Sequence, residues 1–279
     1  MLLNNFLNKT ITIPFKIIAS IPSRLIYGNT IPLKHNLAPI IDKFKYNSKI
    51  NKKSKIHVNG FVNIKYKADK NLIDKISNDF EKFVNDEKSS VLNRGCQKSI
   101  VDPIKKIPEI EKLIDLFKDE VLDYYNNSFY IHNISANRNM THESYKWTRE
   151  KYLYSNHWHM DSFKANKLKV FVLLNDNIHK ESGATKVISN IDTKKLIKNF
   201  TFKHTSYLNK KFNNYVSENN LINYFEGNKG DIYIFNPQKC LHAASIPIKS
   251  KHRDLICFEV FEYLSGDNYI KKIDKNNDI

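Results

Sequence analysis

From Ser128 onward the chain breaks into short β-rich runs, and this constrains its fold more than any other feature. Phe129–Ile134, Lys151–Met160, Leu168–Leu174, Thr185–Ile188, Asp231–Phe235 and Leu255–Tyr263 are rich in aromatic and β-branched residues. Asn175-Asp176-Asn177, Ser182-Gly183, Gly227–Gly230 and Asn236-Pro237 punctuate them as turns. Ahead of these runs, two segments repeat apolar residues at helical spacing. Ala68–Lys88 carries Leu72, Ile73, Ile76, Phe80, Phe83 and Val84, and Asp102–Tyr125 carries Ile107, Ile110, Leu113, Ile114, Phe117, Val121 and Leu122. Pro103 sits in the first turn of the second helix, where a missing N–H costs nothing. Many short strands after a helical block predict an α+β, mainly β protein, an antiparallel sandwich or small barrel with helices packed outside. Residues 192–226 are polar, without clear periodicity, and read as a long insertion.

Composition narrows the class. The 279 residues, 41% hydrophobic and 12% aromatic, suffice for one large domain or two small ones and argue against disorder. Cys96, Cys240 and Cys257 form no CxxC pair, which excludes a zinc ribbon or disulfide framework and fits a reducing, cytoplasmic setting. The charge of +16 is uneven: residues 1–60 hold ten Lys/Arg and one acid, Asp42. Pro14, Pro22, Lys16 and Arg24 interrupt the apolar runs there, so no clean secretory signal emerges. This segment reads as a basic lead-in to a single domain over 61–279, with contact to anionic lipid as its alternative role. Lys, Asn and Ile are heavily used, as AT-rich codon choice would give, which weakens any nucleic-acid reading based on charge alone. No nucleic-acid partner is expected.

Several motifs fail on inspection. His252-Arg253-Asp254-Leu255 looks like a kinase catalytic loop, but the required Asn position is Glu259. There is no P-loop, HExxH or GxSxG.

One constellation carries chemistry. His159-Met160-Asp161 ends a β-rich run, and residues i and i+2 of a strand share a face. His157 shares that face one pleat further away, as a second-shell or packing residue, while Trp158 turns to the opposite side and into the core. An imidazole and a carboxylate side by side, joined by a second His, make the 2-His-1-carboxylate face of non-haem Fe(II) oxygenases. The HxD triplet alone is weak, since ten His and the Asp content give about 0.6 chance matches. Its weight comes from His242, which follows a β-run and a turn, with Arg253 eleven residues later in a chain that has few Arg. A turn centred on Pro247-Ile248 would pair 242 with 253 across an antiparallel hairpin and aim both side chains into one pocket. A guanidinium fork there suits a carboxylate.

These residues resemble the phytanoyl-CoA dioxygenase-like family of Fe(II)/2-oxoglutarate oxygenases. Leu168–Asp176 followed by Ser182–Ile188 resembles that family's strand, turn and NG-x-x-x-v-x-PGSH stretch, and Gly230–His242 its GD…f…H strand. The likeness spans roughly Ser128–Tyr263. It departs at Ser189–Asp192, where PGSH would stand, and at Ala244, where many members have Ser. Ser245, the next residue, is the candidate cosubstrate contact that the resemblance leaves at this point.

The resemblance implies a double-stranded β-helix, or jelly roll, of about eight core strands over 128–263. It implies Fe(II) held by His159, Asp161 and His242, with the distal carboxylate of 2-oxoglutarate on Arg253. With O₂ these would give succinate, CO₂ and a hydroxylated substrate. Asp161 also separates the chain from the related halogenases, which have a small residue there. The substrate is expected to be a small or lipid-linked molecule, anionic in character, with Tyr207, Tyr215, Tyr224 and Phe225 either roofing the pocket or forming a satellite cluster. Two other readings compete: a metal-dependent cupin that does not use 2-oxoglutarate, and a basic β-barrel that binds without catalysis.

Overall fold

The computed structural model describes residues 50–65, 69–93, 96–141, 158–161, 166–199, 210–263 and 270–274. Residues 1–49 of the basic segment 1–60, and with them the expected lipid contact, lie outside these residues. So do His157, Tyr207 and most of the run 151–160.

The described chain opens with a short helix, α1 (Lys55–Asn59), capped by Ser54, whose hydroxyl accepts from the His57 N–H. Gly60 ends it in the left-handed region at φ 87° and hands over to strand β1 (Phe61–Ile64). Helix α2 (Lys70–Asn85) begins at Asp69, whose carboxylate accepts from the Asn71 N–H. Its buried face is Ile73, Ile76, Phe80 and Val84, the i, i+3, i+4 stripe of the sequence. A hairpin follows, β2 (Ser90–Asn93) and β3 (Gln97–Ile100).

The second expected helix, 102–125, is not continuous. It divides into α3 (Pro103–Lys106), a 3-10 stretch (Pro108–Leu116) and α4 (Lys118–Tyr125). Pro108 causes the first break: it has no N–H to donate, and it pushes Ile107 out of the helical region, to φ −132°. The apolar stripe survives the break, with Ile107, Ile110, Leu113, Ile114, Phe117 and Val121 all buried.

The remainder is β4 (Phe129–Met140), β5 (Lys167–Leu173), β6 (Thr185–Ile188), helices α5 (Asn190–Asn199) and α6 (Lys210–Glu218), β7 (Ile222–Tyr224), β8 (Ile232–Phe235), β9 (His242–Ala244), β10 (His252–Glu262) and β11 (Lys271–Ile273). The segment read as an aperiodic insertion thus carries two helices. Leu196, Ile197, Phe212 and Val216 bury their apolar side with Trp158, Ile188 and Leu241. Ser189 starts α5 through reciprocal bonds with Asp192, which explains why the chain departs from the PGSH pattern there.

All strand pairings among the described residues are antiparallel. An eight-stranded sheet runs β1-β8-β5-β10-β4-β3-β2, with β11 also on β4, and a three-stranded sheet runs β7-β6-β9. The main core lies between the outer face of the large sheet and the helical block: Leu168, Val170, Val172, Ile256 and Phe258 meet Phe80, Phe117 and Tyr125. Phe117 and Phe258 pack with their rings tilted by 58° and centroids 5.1 Å apart. Ile56 and Ile64 join this same core. The inner faces of the two sheets are left to form a pocket. Among the described residues no helix is long and apolar enough to cross a membrane.

Candidate metal centre

His242 and His159 face each other across a two-way backbone pairing. Each N–H donates to the other's carbonyl at 3.0 Å, so the small sheet gains a short fourth rung. Directly opposed residues lie on one face, and the two imidazole centroids are 4.2 Å apart. The Asp161 N–H donates to the Pro237 carbonyl at 2.9 Å, which fixes the backbone two residues on. Its Oδ1 lies 3.5 Å from His242 Nε2 and 3.8 Å from His159 Nε2. One ligand atom from each of the three residues falls within 4.8 Å of the others, the one such His/Cys/Asp/Glu group among the described residues.

The donor set fits a metal ion. His242 Nδ1 is 3.0 Å from the Cys240 carbonyl, which can only accept, so Nδ1 carries the proton and Nε2 keeps its lone pair. Nε2 is buried and hydrogen-bonded to no described group. An orphaned buried acceptor is costly unless something binds it. Two nitrogens and a carboxylate oxygen suit Fe(II), and three protein ligands leave positions for small molecules.

Burial alone would raise the Asp161 carboxyl. The ammoniums of Lys169 and Lys167 oppose it, and the carboxyl lies well below the usual carboxylate range. Lys169 Nζ is 2.8 Å and Lys167 Nζ 3.2 Å from Asp161 Oδ2, and Lys167 also pairs with Glu259. Lys169 is raised in turn, since Asp161 more than offsets the burial of its ammonium.

A cavity of about 270 Å³ opens on the centre, lined by both sheets: His159, His242, Thr185, Ala243 and Ala244 on one side, Gln97, Ser135, Asn137, Asn139, Lys169, Phe171, Arg253, Leu255, Cys257 and Glu259 on the other. It is at the small end of ligand pockets. Arg253 is 5% exposed and donates from Nη1 to Thr185 Oγ1 at 2.6 Å. Burial pushes the Cys257 thiol up to about 12, so it stands in the wall as a neutral group.

The expected hairpin between His242 and Arg253 is not there. β9 pairs with β6 in the small sheet, whereas Arg253 pairs with Asn139 in the large one. Residues 245–251 cross between sheets. Pro247 cannot donate to a ladder, the Ile248 N–H turns aside to the Glu181 carbonyl, and Ser250 has φ 67°. The two side chains reach one cavity from opposite walls instead. Ser245 is buried but does not line the cavity; Ala244 does. Trp158 packs edge-on against Phe212, 6.5 Å between centroids. Phe225 and Tyr224 belong to a cluster with Tyr233 and Phe235, and Tyr215 is exposed, so of the described aromatic residues expected over the pocket none lines the cavity.

Thr185, Lys167 and Lys169 escaped sequence reasoning. The alternation Leu168-Val170-Val172 in β5, all buried outward, is the signal that turns Lys167, Lys169 and Phe171 inward.

No family model matches the sequence, and no curated protein resembles it at the sequence level. Solved structures do resemble the fold. The non-heme α-ketoglutarate-dependent epimerase SnoN from nogalamycin biosynthesis superposes with TM-score 0.54 at 12% identity, covering 75% of this chain and 80% of that one. EctD from S. alaskensis, solved with bound Fe, gives 0.54 at 12% over 78% and 80%. HygX from Streptomyces hygroscopicus, with nickel and 2-oxoglutarate bound, gives 0.51 at 15% over 78% and 94%. At such identities the likeness is one of fold: the two antiparallel sheets around a central pocket are an architecture this chain shares with enzymes of iron and 2-oxoglutarate.

Proposed function

We propose that the protein is an Fe(II)- and 2-oxoglutarate-dependent oxygenase of the phytanoyl-CoA dioxygenase-like type, built on a double-stranded β-helix. The observation that carries this reading is the convergence of His159, Asp161 and His242 beside a buried arginine. The three residues would hold the iron, and Arg253, steadied by Thr185, would take the distal carboxylate of 2-oxoglutarate. The bound iron supplies activation of O₂ coupled to decarboxylation of 2-oxoglutarate to succinate and CO₂.

The chain's own residues set the conditions. The Cys240 carbonyl holds His242 in the ligating tautomer. Phe171, Leu255, Ala243 and Ala244 give the cavity an apolar stretch of wall, and the neutral Cys257 offers no thiolate to compete for the metal. The organic outcome is hydroxylation of a small molecule. Three cationic side chains, Arg253, Lys167 and Lys169, stand against Asp161 and Glu259. Since the charges of Fe(II) and 2-oxoglutarate cancel, the loaded pocket stays positive and favours an anionic substrate.

The test is succinate formation from 2-oxoglutarate across a panel of anionic metabolites, with and without added Fe(II). Iron-dependent succinate supports the reading. A protein that binds Fe(II) but neither binds nor consumes 2-oxoglutarate would move the cupin alternative ahead.

A further inference from the structure

The two oxygens of Asp161 face different partners. Oδ1 looks toward the two histidines, at 3.5 and 3.8 Å. Oδ2 is taken by Lys169 at 2.8 Å and by Lys167 at 3.2 Å. Neither lysine is a surface group: their side chains are 19% and 14% exposed. The strand dictates this arrangement. With Leu168, Val170 and Val172 buried in the main core, β5 must turn the alternate residues into the cavity. Lys167 is further tied to Glu259, whereas Lys169 spends its short ion pair on Asp161.

A carboxylate can meet a hard cation with one oxygen or both. The difference matters at a three-residue centre, because a second oxygen from Asp161 would occupy a position that small molecules need. Resting on the iron reading above, we propose that Lys169 is a positioning residue. It engages Asp161 Oδ2, confines the carboxylate to one-oxygen ligation through Oδ1, and so keeps the open face of the metal available to 2-oxoglutarate. Partners of metal ligands commonly change metal affinity or activity by about 10–100-fold when removed.

Co(II), whose visible spectrum reports coordination, tests this in the whole protein without turnover. Lys169→Met should change the Co(II) spectrum before any 2-oxoglutarate is added. It should also weaken 2-oxoglutarate binding to the Co(II) protein by about 10–100-fold. Lys169→Arg, which keeps a charged donor, should restore both. If the Met variant does not fold, Lys169→Gln removes the ion pair while keeping a polar head, and the same spectral change is expected. An unchanged Co(II) spectrum in the neutral variant overturns the proposal even if 2-oxoglutarate binding falls, since Lys169 would then touch the cosubstrate directly. Wild type that takes up no Co(II) overturns the iron reading and this inference together. Wild type that binds Co(II) and 2-oxoglutarate, beside a variant with the same spectrum, overturns the inference alone.

Discussion

On the proposed reading, replacing Arg253 by Lys separates the cosubstrate anchor from the metal centre. Arg253 is 5% exposed, and its Nη1 already donates to Thr185 Oγ1 at 2.6 Å, so its plane is set before any ligand arrives. A fixed guanidinium can give a carboxylate two parallel N–H···O bonds, whereas an ammonium on a flexible stem gives a point charge without the fork. The substitution retains the positive charge and loses one charge-assisted bond, about 1.5–3 kcal/mol. At 1.4 kcal/mol per decade, 2-oxoglutarate should bind about 10–100-fold more weakly. Metal affinity should be unchanged, since His159, Asp161 and His242 are untouched. Calorimetric titration of 2-oxoglutarate into the Ni(II)-loaded protein, paired with a titration of Ni(II) itself, measures both quantities. Equal 2-oxoglutarate affinity in the Lys variant would refute the anchor. An equal loss of Ni(II) affinity would show that the substitution disturbed the pocket as a whole.

Three further outcomes are expected. Asp161→Ala should abolish Fe(II)-dependent turnover and also lower the melting temperature of the metal-free protein. It strands Lys169, while Lys167 keeps Glu259, at a cost of up to about 3 kcal/mol after allowing for residual contact with water; retained turnover would show that the carboxylate is not a ligand. Stability should fall as pH drops from about 6.5 toward 4. Burial, then Lys239, Lys194 and Lys52, lower His57 to about 4, so over that window the unfolded chain binds a proton that the folded one does not. Urea midpoints for wild type and His57→Asn across this range should show a shallower slope in the variant. Gly60→Ala should destabilise by more than about 1–2 kcal/mol in the same measurement, because φ is 87° and the new methyl would overlap Cys240 Sγ and press on Asn190 Cβ at 3.0 Å.

The site was legible where side-chain chemistry is scarce and spacing is short. His159 and Asp161 declared themselves as an i, i+2 pair, and His242 and Arg253 by a fixed offset. The reason given for that offset was wrong: an interval of eleven residues does not reveal whether a chain returns in its own sheet or crosses to another, and Pro247 tips it toward crossing. α2 was legible because its apolar stripe coincides with good caps. The helix through Pro108 was misread because the stripe continues across a backbone break that periodicity does not register. The second half of β4, Ser135–Met140, escaped because its inward residues are Ser135, Asn137 and Asn139. A strand that lines a polar cavity loses the apolar alternation by which strands are recognised. The HRD triplet, set aside as a kinase motif, has a structural use: Asp254 pairs with Arg138 at 2.7 and 2.8 Å across the neighbouring interior strands β10 and β4, in contact with His252 at 3.4 Å.

Because residues 245–251 carry the chain from one sheet to the other, His242 and Arg253 stand on separate walls. On the proposed reading, the spacing of the two sheets then works as a calliper. A diacid whose keto-acid end meets the iron must have the one length that brings its far carboxylate to the guanidinium. The shorter homologue oxaloacetate would fall short of Arg253, and the longer 2-oxoadipate would have to buckle against Leu255 and Ala244. The jaws of this calliper are set by Thr185, which is hydrogen-bonded to Arg253 on one wall while its own strand pairs with the strand of His242. Removing that bridge by Thr185→Val would loosen the gauge without altering a ligand, and discrimination among diacids of neighbouring length is where the change would register.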